Sequence, residues 1–181
     1  MAFQFLQSSK AAFRYPFGEA PRTAILVPWF AEPRLSFRSK AAVRSFAGWS
    51  NEAAAFAPAS IAGTREQLTA LACDAPPVTH ALVVLARPSD TLLTAADREQ
   101  LWRAFRVPVF EQIIGARGER LAAECEAHDG LHIETQSRQD PAEGWSSYAI
   151  DEGLCACGLR TPRLSSPVPA ERVRSAAMYA R

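Results

Sequence analysis

The chain has 181 residues, of which 48% are hydrophobic, enough for one well-buried core. Twenty basic against 19 acidic residues leave a formal charge of +1, which argues against nucleic acid or an anionic membrane as the main partner, since both select a basic face. No stretch approaches the ~20 uninterrupted apolar residues of a membrane span, and Met1–Leu6 lacks the charged start and long apolar run of a signal peptide. A cytoplasmic location is therefore expected, where cysteines serve as metal ligands more readily than as disulfides.

Residues 1–22, with Phe3, Phe5, Phe13, Tyr15 and Phe17 among Pro and Gly, read as an N-terminal arm. Thr23–Trp29 is a short apolar run ended by proline, as in a buried strand. Over 39–56, Val43, Phe46, Trp49 and Ala53 fall at helical spacing, which predicts one helix or two short ones broken near Gly48 and Ser50-Asn51. Thr64-Arg-Glu-Gln67 has the form of a capping box, with Leu68, Leu71 and Ala72 as the buried face of the helix it opens. His80–Ala86 is a continuous apolar run, the pattern of a strand covered on both faces. Thr94 caps the next helix, with Asp97 in its first turn and Leu101, Trp102 and Phe105 as its stripe. Val107–Ile114 is another strand. Leu121–Cys125 and Leu131–Glu134 are two more, joined by the Asp129-Gly130 turn. Strand–helix alternation over 58–114 predicts an α/β fold with a parallel sheet and flanking helices. Residues 135–147 form a polar loop, and 167–181 an amphipathic C-terminal helix. The expected organisation is an arm (1–22), a single α/β domain (23–166) and that helix.

The chemistry concentrates between 125 and 157. Cys125, His128 and His132 fall within eight residues, and Cys155-Ala-Cys157-Gly158 follows. Thiolate and imidazole are the ligands Zn²⁺ prefers, and four complete a tetrahedron. The expected set is Cys125, His128, Cys155 and Cys157, with His132 as the alternative ligand or a partner behind the ligands. Gly158 permits the tight turn that lets Cys-x-Cys present both thiolates to one ion. Four protein ligands imply a structural rather than a catalytic zinc, because a catalytic site keeps one position open. Glu124, Glu126 and Asp129 beside the ligands are candidate bases should the site be catalytic, and otherwise orient a ligand or lie solvated in the turn. Cys73 and His80 lie outside the cluster and read as core or surface residues.

Val107–Gly115 followed by Glu124-Cys-Glu-Ala-His-Asp-Gly-Leu-His-Ile133 resembles the phenylacetate–coenzyme A ligase-like adenylate-forming enzymes. Ile61–Ala72, Thr91–Arg98 and Cys155-Ala-Cys-Gly-Leu-Arg-Thr-Pro-Arg163 extend the resemblance over about 58–163. It implies part of an adenylate-forming-type sheet carrying a metal knot. The departures are informative. The family's Ser/Thr/Gly-rich phosphate loop, which cradles ATP with backbone N–H groups, has no counterpart. Its Tyr-Gly-x-x-Glu motif appears as Ile114-Gly115-Ala116-Arg117-Gly118. The segment ending in its ribose-binding Asp is shortened away between Ile133 and Cys155, leaving Asp151 as a remnant, and no Lys follows Lys40 to stand for the catalytic Lys. The resemblance thus describes a truncated, degenerate member.

The functional expectation is a non-catalytic, zinc-binding accessory or interaction protein that has lost the adenylation machinery, with no catalytic or nucleotide-binding residue assigned. Its partner would be another protein or a second copy, met through the Phe-rich residues 3–17 and the tail 168–181. The alternative is a metal-dependent or CoA-thioester-acting enzyme that uses a residual pocket, which also leaves room for a small-molecule ligand. A third reading is a zinc or thiol sensor built on Cys155-x-Cys157.

Overall fold

The structure, a computed structural model, describes residues 15–16, 19–27, 42–115, 119–134 and 148–165. Most of the expected arm, the polar loop 135–147 and the C-terminal helix fall outside them. In chain order the elements are β1 (Thr23–Leu26), β2 (Val43–Phe46), α1 (Asn51–Ala55), β3 (Ser60–Gly63), α2 (Arg65–Leu71) with a short 3-10 turn after it, β4 (Ala81–Ala86), α3 (Ala95–Phe105), β5 (Val109–Ile114), β6 (Arg120–Glu124), β7 (Leu131–Ile133), β8 (Ala149–Asp151) and β9 (Arg163–Ser165). The strands form one sheet in the order β2-β1-β3-β4-β5-β6-β7-β9-β8.

The two halves of this sheet differ. From β2 to β5 every pairing is parallel. From β5 to β8 every pairing is antiparallel, and a register shift between Ile113 and Ile114 marks the changeover. The fold is therefore α/β with a parallel half, as expected, and an antiparallel extension.

Local chemistry explains the helices. Thr64 accepts from the Gln67 N–H, while the Gln67 side chain accepts from the Thr64 N–H at 2.8 Å; Thr94 and Asp97 repeat this reciprocal cap on α3. Arg106, left-handed at φ 58, ends α3. Helices α1, α2 and α3 turn one face to one side of the sheet, where Ala53, Leu68, Leu101 and Phe105 meet Leu26, Ile61, Leu82 and Val84. Alternate residues of the same strands (Ile25, Ala62, Val83, Leu85) pack on the other side with Tyr15, Phe110 and Ile114. β4 is buried at all six positions, which is why it reads as an unbroken apolar run. A third cluster, Ile113, Leu121, Ala122, Leu131 and Leu164, holds the antiparallel extension.

One segment departs from the helical expectation over 39–56. Val43–Phe46 is a strand paired in parallel with Thr23–Leu26, and only Asn51–Ala55 is helical, opened by a Ser50 side-chain cap. The sheet pairing overrides a spacing that suits a helix. Among the described residues, no helix is long and apolar enough to cross a membrane.

A candidate metal centre at two hairpin turns

The two turns that carry the cysteines have one form. Cys125 leaves β6, and its carbonyl accepts from the N–H of His128 at 3.1 Å; the Cys155 carbonyl accepts from the N–H of Gly158 at 2.9 Å. In each turn the residue two after the first cysteine directs its N–H at that cysteine's sulfur: Ala127 toward Cys125, and Cys157 toward Cys155. Such N–H groups favour the thiolate form that binds metals. Gly158 sits at φ +86, the left-handed conformation that glycine adopts without a Cβ penalty.

β7 lies between the turns. His132 pairs with Ala123 of β6 on one side and Arg163 of β9 on the other. Its Nδ1 stands 2.6 Å from Thr161 Oγ1, and its Nε2 stands 3.4 Å from Cys157 Sγ. With the Nδ1 proton donated to Thr161, Nε2 presents its lone pair to the cysteines. Burial, reinforced by the nearby Arg163, holds the His132 pKa below its ordinary value and favours the neutral, ligating form.

Cys125 Sγ and Cys155 Sγ are 3.7 Å apart. One donor atom each from Cys125, His132, Cys155 and Cys157 all lie within 4.8 Å of one another. A tetrahedral zinc with ordinary bond lengths sets sulfurs about 3.8 Å apart and a sulfur and nitrogen about 3.6 Å apart. The donor set and its spacing therefore suit a tetrahedral Cys3His metal ion. All four cysteines are free thiols. Burial first, then its two sulfur neighbours, push the Cys125 thiol up to about 12. Burial also acts to raise Cys155, but the Cys157 N–H and the surrounding donors outweigh it and leave that thiol below its usual range.

The histidine in this group is His132. His128, the expected ligand, turns elsewhere: its ring stacks on Phe110 with centroids 4.6 Å apart, and its Nδ1 is 3.1 Å from Glu124 Oε1. The other expected ligands, Cys125, Cys155 and Cys157, all converge. The Glu124 carboxylate is pinned away from the thiols, accepting from Arg98 Nη1 at 3.1 Å and from the Glu111 N–H at 3.0 Å. Glu126 is exposed, and Asp129 is bound by Arg163. Cys73 and His80 lie exposed outside the group.

Arg163 and Thr161 are the residues that sequence reasoning missed. Arg163 is buried beneath the knot, and it donates from Nη1 to the Asp129 carbonyl at 2.9 Å and to the Asp129 carboxylate, and from Nη2 to Asp151. It also lies within hydrogen-bonding reach of Cys155. Three thiolates with one Zn²⁺ carry a net negative charge, and a guanidinium beside them offsets it. Asp151, the expected remnant of a ribose-binding site, is occupied by this pairing.

A second feature opens at the C-terminal ends of the parallel strands, where ligands of such sheets bind. A cavity of about 520 Å³ is lined by residues that include Arg65, Arg87, Ser89, Thr91 and Glu111. Glu111 is buried and accepts from the Leu93 N–H at 3.1 Å, with Arg98 Nη2 at 3.7 Å. Burial, opposed by the Leu93 bond and Arg98, raises its pKa to about 7.

The sequence matches no family model and no curated protein. Among solved structures, the chain is similar to a 2-hydroxyisobutyryl-CoA ligase crystallised in an open conformation with 2-HIB-AMP and CoA, at 15% identity and a TM-score of 0.54. The similarity covers 81% of this chain and 44% of that one, so this chain spans less than half of that structure's length. At this identity the likeness shows a shared fold. It agrees with the resemblance to CoA ligases at that level.

Proposed function

We propose that the chain is a non-catalytic, zinc-binding accessory or interaction protein built on part of a CoA-ligase-type fold of the phenylacetate–coenzyme A ligase kind, working in the cytoplasm. One observation carries the reading: Cys125, His132, Cys155 and Cys157 bring four donor atoms within 4.8 Å, enough for protein ligands to take every position of a tetrahedral ion. An ion so enclosed has no place for a substrate or a water to activate, and its role is structural. Ile150, Leu154 and Leu159, exposed beside the knot, support contact with another protein. The test is elemental analysis of reduced protein together with an ATP–pyrophosphate exchange assay. About one zinc per chain with no exchange supports the reading, and exchange above background overturns it.

A second reading, an enzyme acting on an acid or CoA thioester, draws on the cavity and on Glu111, whose pKa near neutrality suits proton transfer. Turnover abolished by Glu111→Gln and unaffected by metal removal would select it.

A further inference from the structure

The outer strand of the antiparallel extension has little to hold it. β8 is exposed at all three positions, and among the described residues it pairs, through Ala149, Ile150 and Asp151, with β9 alone. Across the β8–β9 connection, Cys155 is the only buried residue from 152 to 162, while Leu154 and Leu159 are 62% and 51% exposed. The ion pair that reaches β8 joins the half-exposed Asp151 carboxylate to the buried Arg163 of β9, so it ties β8 to its own neighbour and not to the β6–β7 hairpin. β9 is different, because Arg163 and Leu164 are buried and Leu164 belongs to the third apolar cluster. The ends of the segment are held at β7, where the Ile133 N–H donates to the Pro162 carbonyl at 2.8 Å and His132 Nδ1 stands 2.6 Å from Thr161 Oγ1, and at Tyr148, whose hydroxyl donates to the Pro88 and Asp90 carbonyls; between these ends the strongest candidate tie to the rest of the molecule is the donor group. It takes Cys155 and Cys157 from this connection, and Cys125 and His132 from the β6–β7 hairpin.

Resting on the metal reading above, we infer that metal occupancy and the ordering of residues 149–162 are one equilibrium. The ion locks the β8–β9 connection onto the β6–β7 hairpin. Loss of the ion releases β8, and the sheet's free edge passes from β8 to β9, whose backbone N–H and C=O groups become available for pairing. The parallel half, held by its own apolar clusters on both faces, does not take part.

The test is hydrogen–deuterium exchange on the reduced full chain, with zinc and after removal of zinc by a chelator, alongside elemental analysis of both samples. Zinc at about a hundred times its dissociation constant lowers the opening equilibrium about 100-fold. Amides of 149–162 should therefore exchange about 100-fold more slowly with zinc, while those of β4 stay unchanged. Cys157→Ser should show the zinc-free pattern in both conditions. If zinc binds at one per chain and 149–162 exchange alike with and without it, the inference fails and the metal reading stands. If β4 loosens as much as 149–162, the coupling is global and the inference fails. If the reduced chain holds no zinc, the metal reading fails and takes the inference with it.

Discussion

Exchanging the two histidines one at a time separates the geometry from the sequence pattern. A structural Cys/His zinc site binds with about 10–16 kcal/mol, so one of four ligands carries about 3–4 kcal/mol, or 10²- to 10³-fold in dissociation constant. His132→Ala removes the nitrogen that lies 3.4 Å from Cys157 Sγ and should weaken zinc binding by that factor. His128 needs a gentler change, because it sits at φ 51, where asparagine is tolerated and most side chains are strained. His128→Asn should leave zinc affinity within about threefold and lower stability by about 1 kcal/mol, through loss of the Phe110 stack. Competition against a chromophoric chelator reads the affinities, and urea unfolding reads the stability. A hundredfold loss in His128→Asn with little change in His132→Ala would refute the reasoning.

Thr161→Val removes the hydroxyl 2.6 Å from His132 Nδ1, and zinc affinity should fall about 10- to 100-fold, recovering in Thr161→Ser; the same chelator competition measures both. Glu111, facing Arg98, Glu124 and Arg65, has a folded pKa of about 7 against an ordinary 4.5, so the folded state binds its proton more tightly than the unfolded state does. Stability from this group is complete below pH 4.5 and falls as pH rises toward 7, with a slope of up to about 1.4 kcal/mol per pH unit. Glu111→Gln should remove that slope, as seen in denaturant midpoints of the two proteins across the window. A Cβ on Gly130, at φ +85, would stand 2.6 Å from the Leu164 carbonyl oxygen. Gly130→Ala should therefore cost about 2 kcal/mol or more in urea unfolding, from the left-handed backbone and the displacement of β9 together.

The elements that could be read from the sequence are those whose signals are local. The Thr64/Gln67 and Thr94/Asp97 caps and the unbroken run of β4 need only neighbours a few residues away. In β2, Val43 and Phe46, three apart, fit a helical stripe as well as a strand, and pairing with β1 decides between them. β8 and β9, three residues each, carry no pattern of their own and form through pairings with β7 and with each other. The same non-locality decides which of the two candidate histidines lies with the cysteines. Cys125-x2-His128 satisfies a local ligand spacing, yet that turn aims the ring at Phe110, while His132 reaches the Cys155–Cys157 turn because β9 lies beside β7. Thr161 and Arg163, with no ligand chemistry of their own, gain their roles only from that register.

The sequence separation of 30 between Cys125 and Cys155 bears on how freely this region can change length. Sharing one ion closes a loop of that size, and the free energy of metal binding has to meet the entropy of closing it. By the closure rule for cross-links, this closure costs about 3–4 kcal/mol. Closure entropy grows only with the logarithm of loop length, so doubling the intervening chain changes it by about 0.6 kcal/mol. Insertions within 135–147 should consequently leave the tie nearly as effective, whereas moving either cysteine by one residue would abolish it.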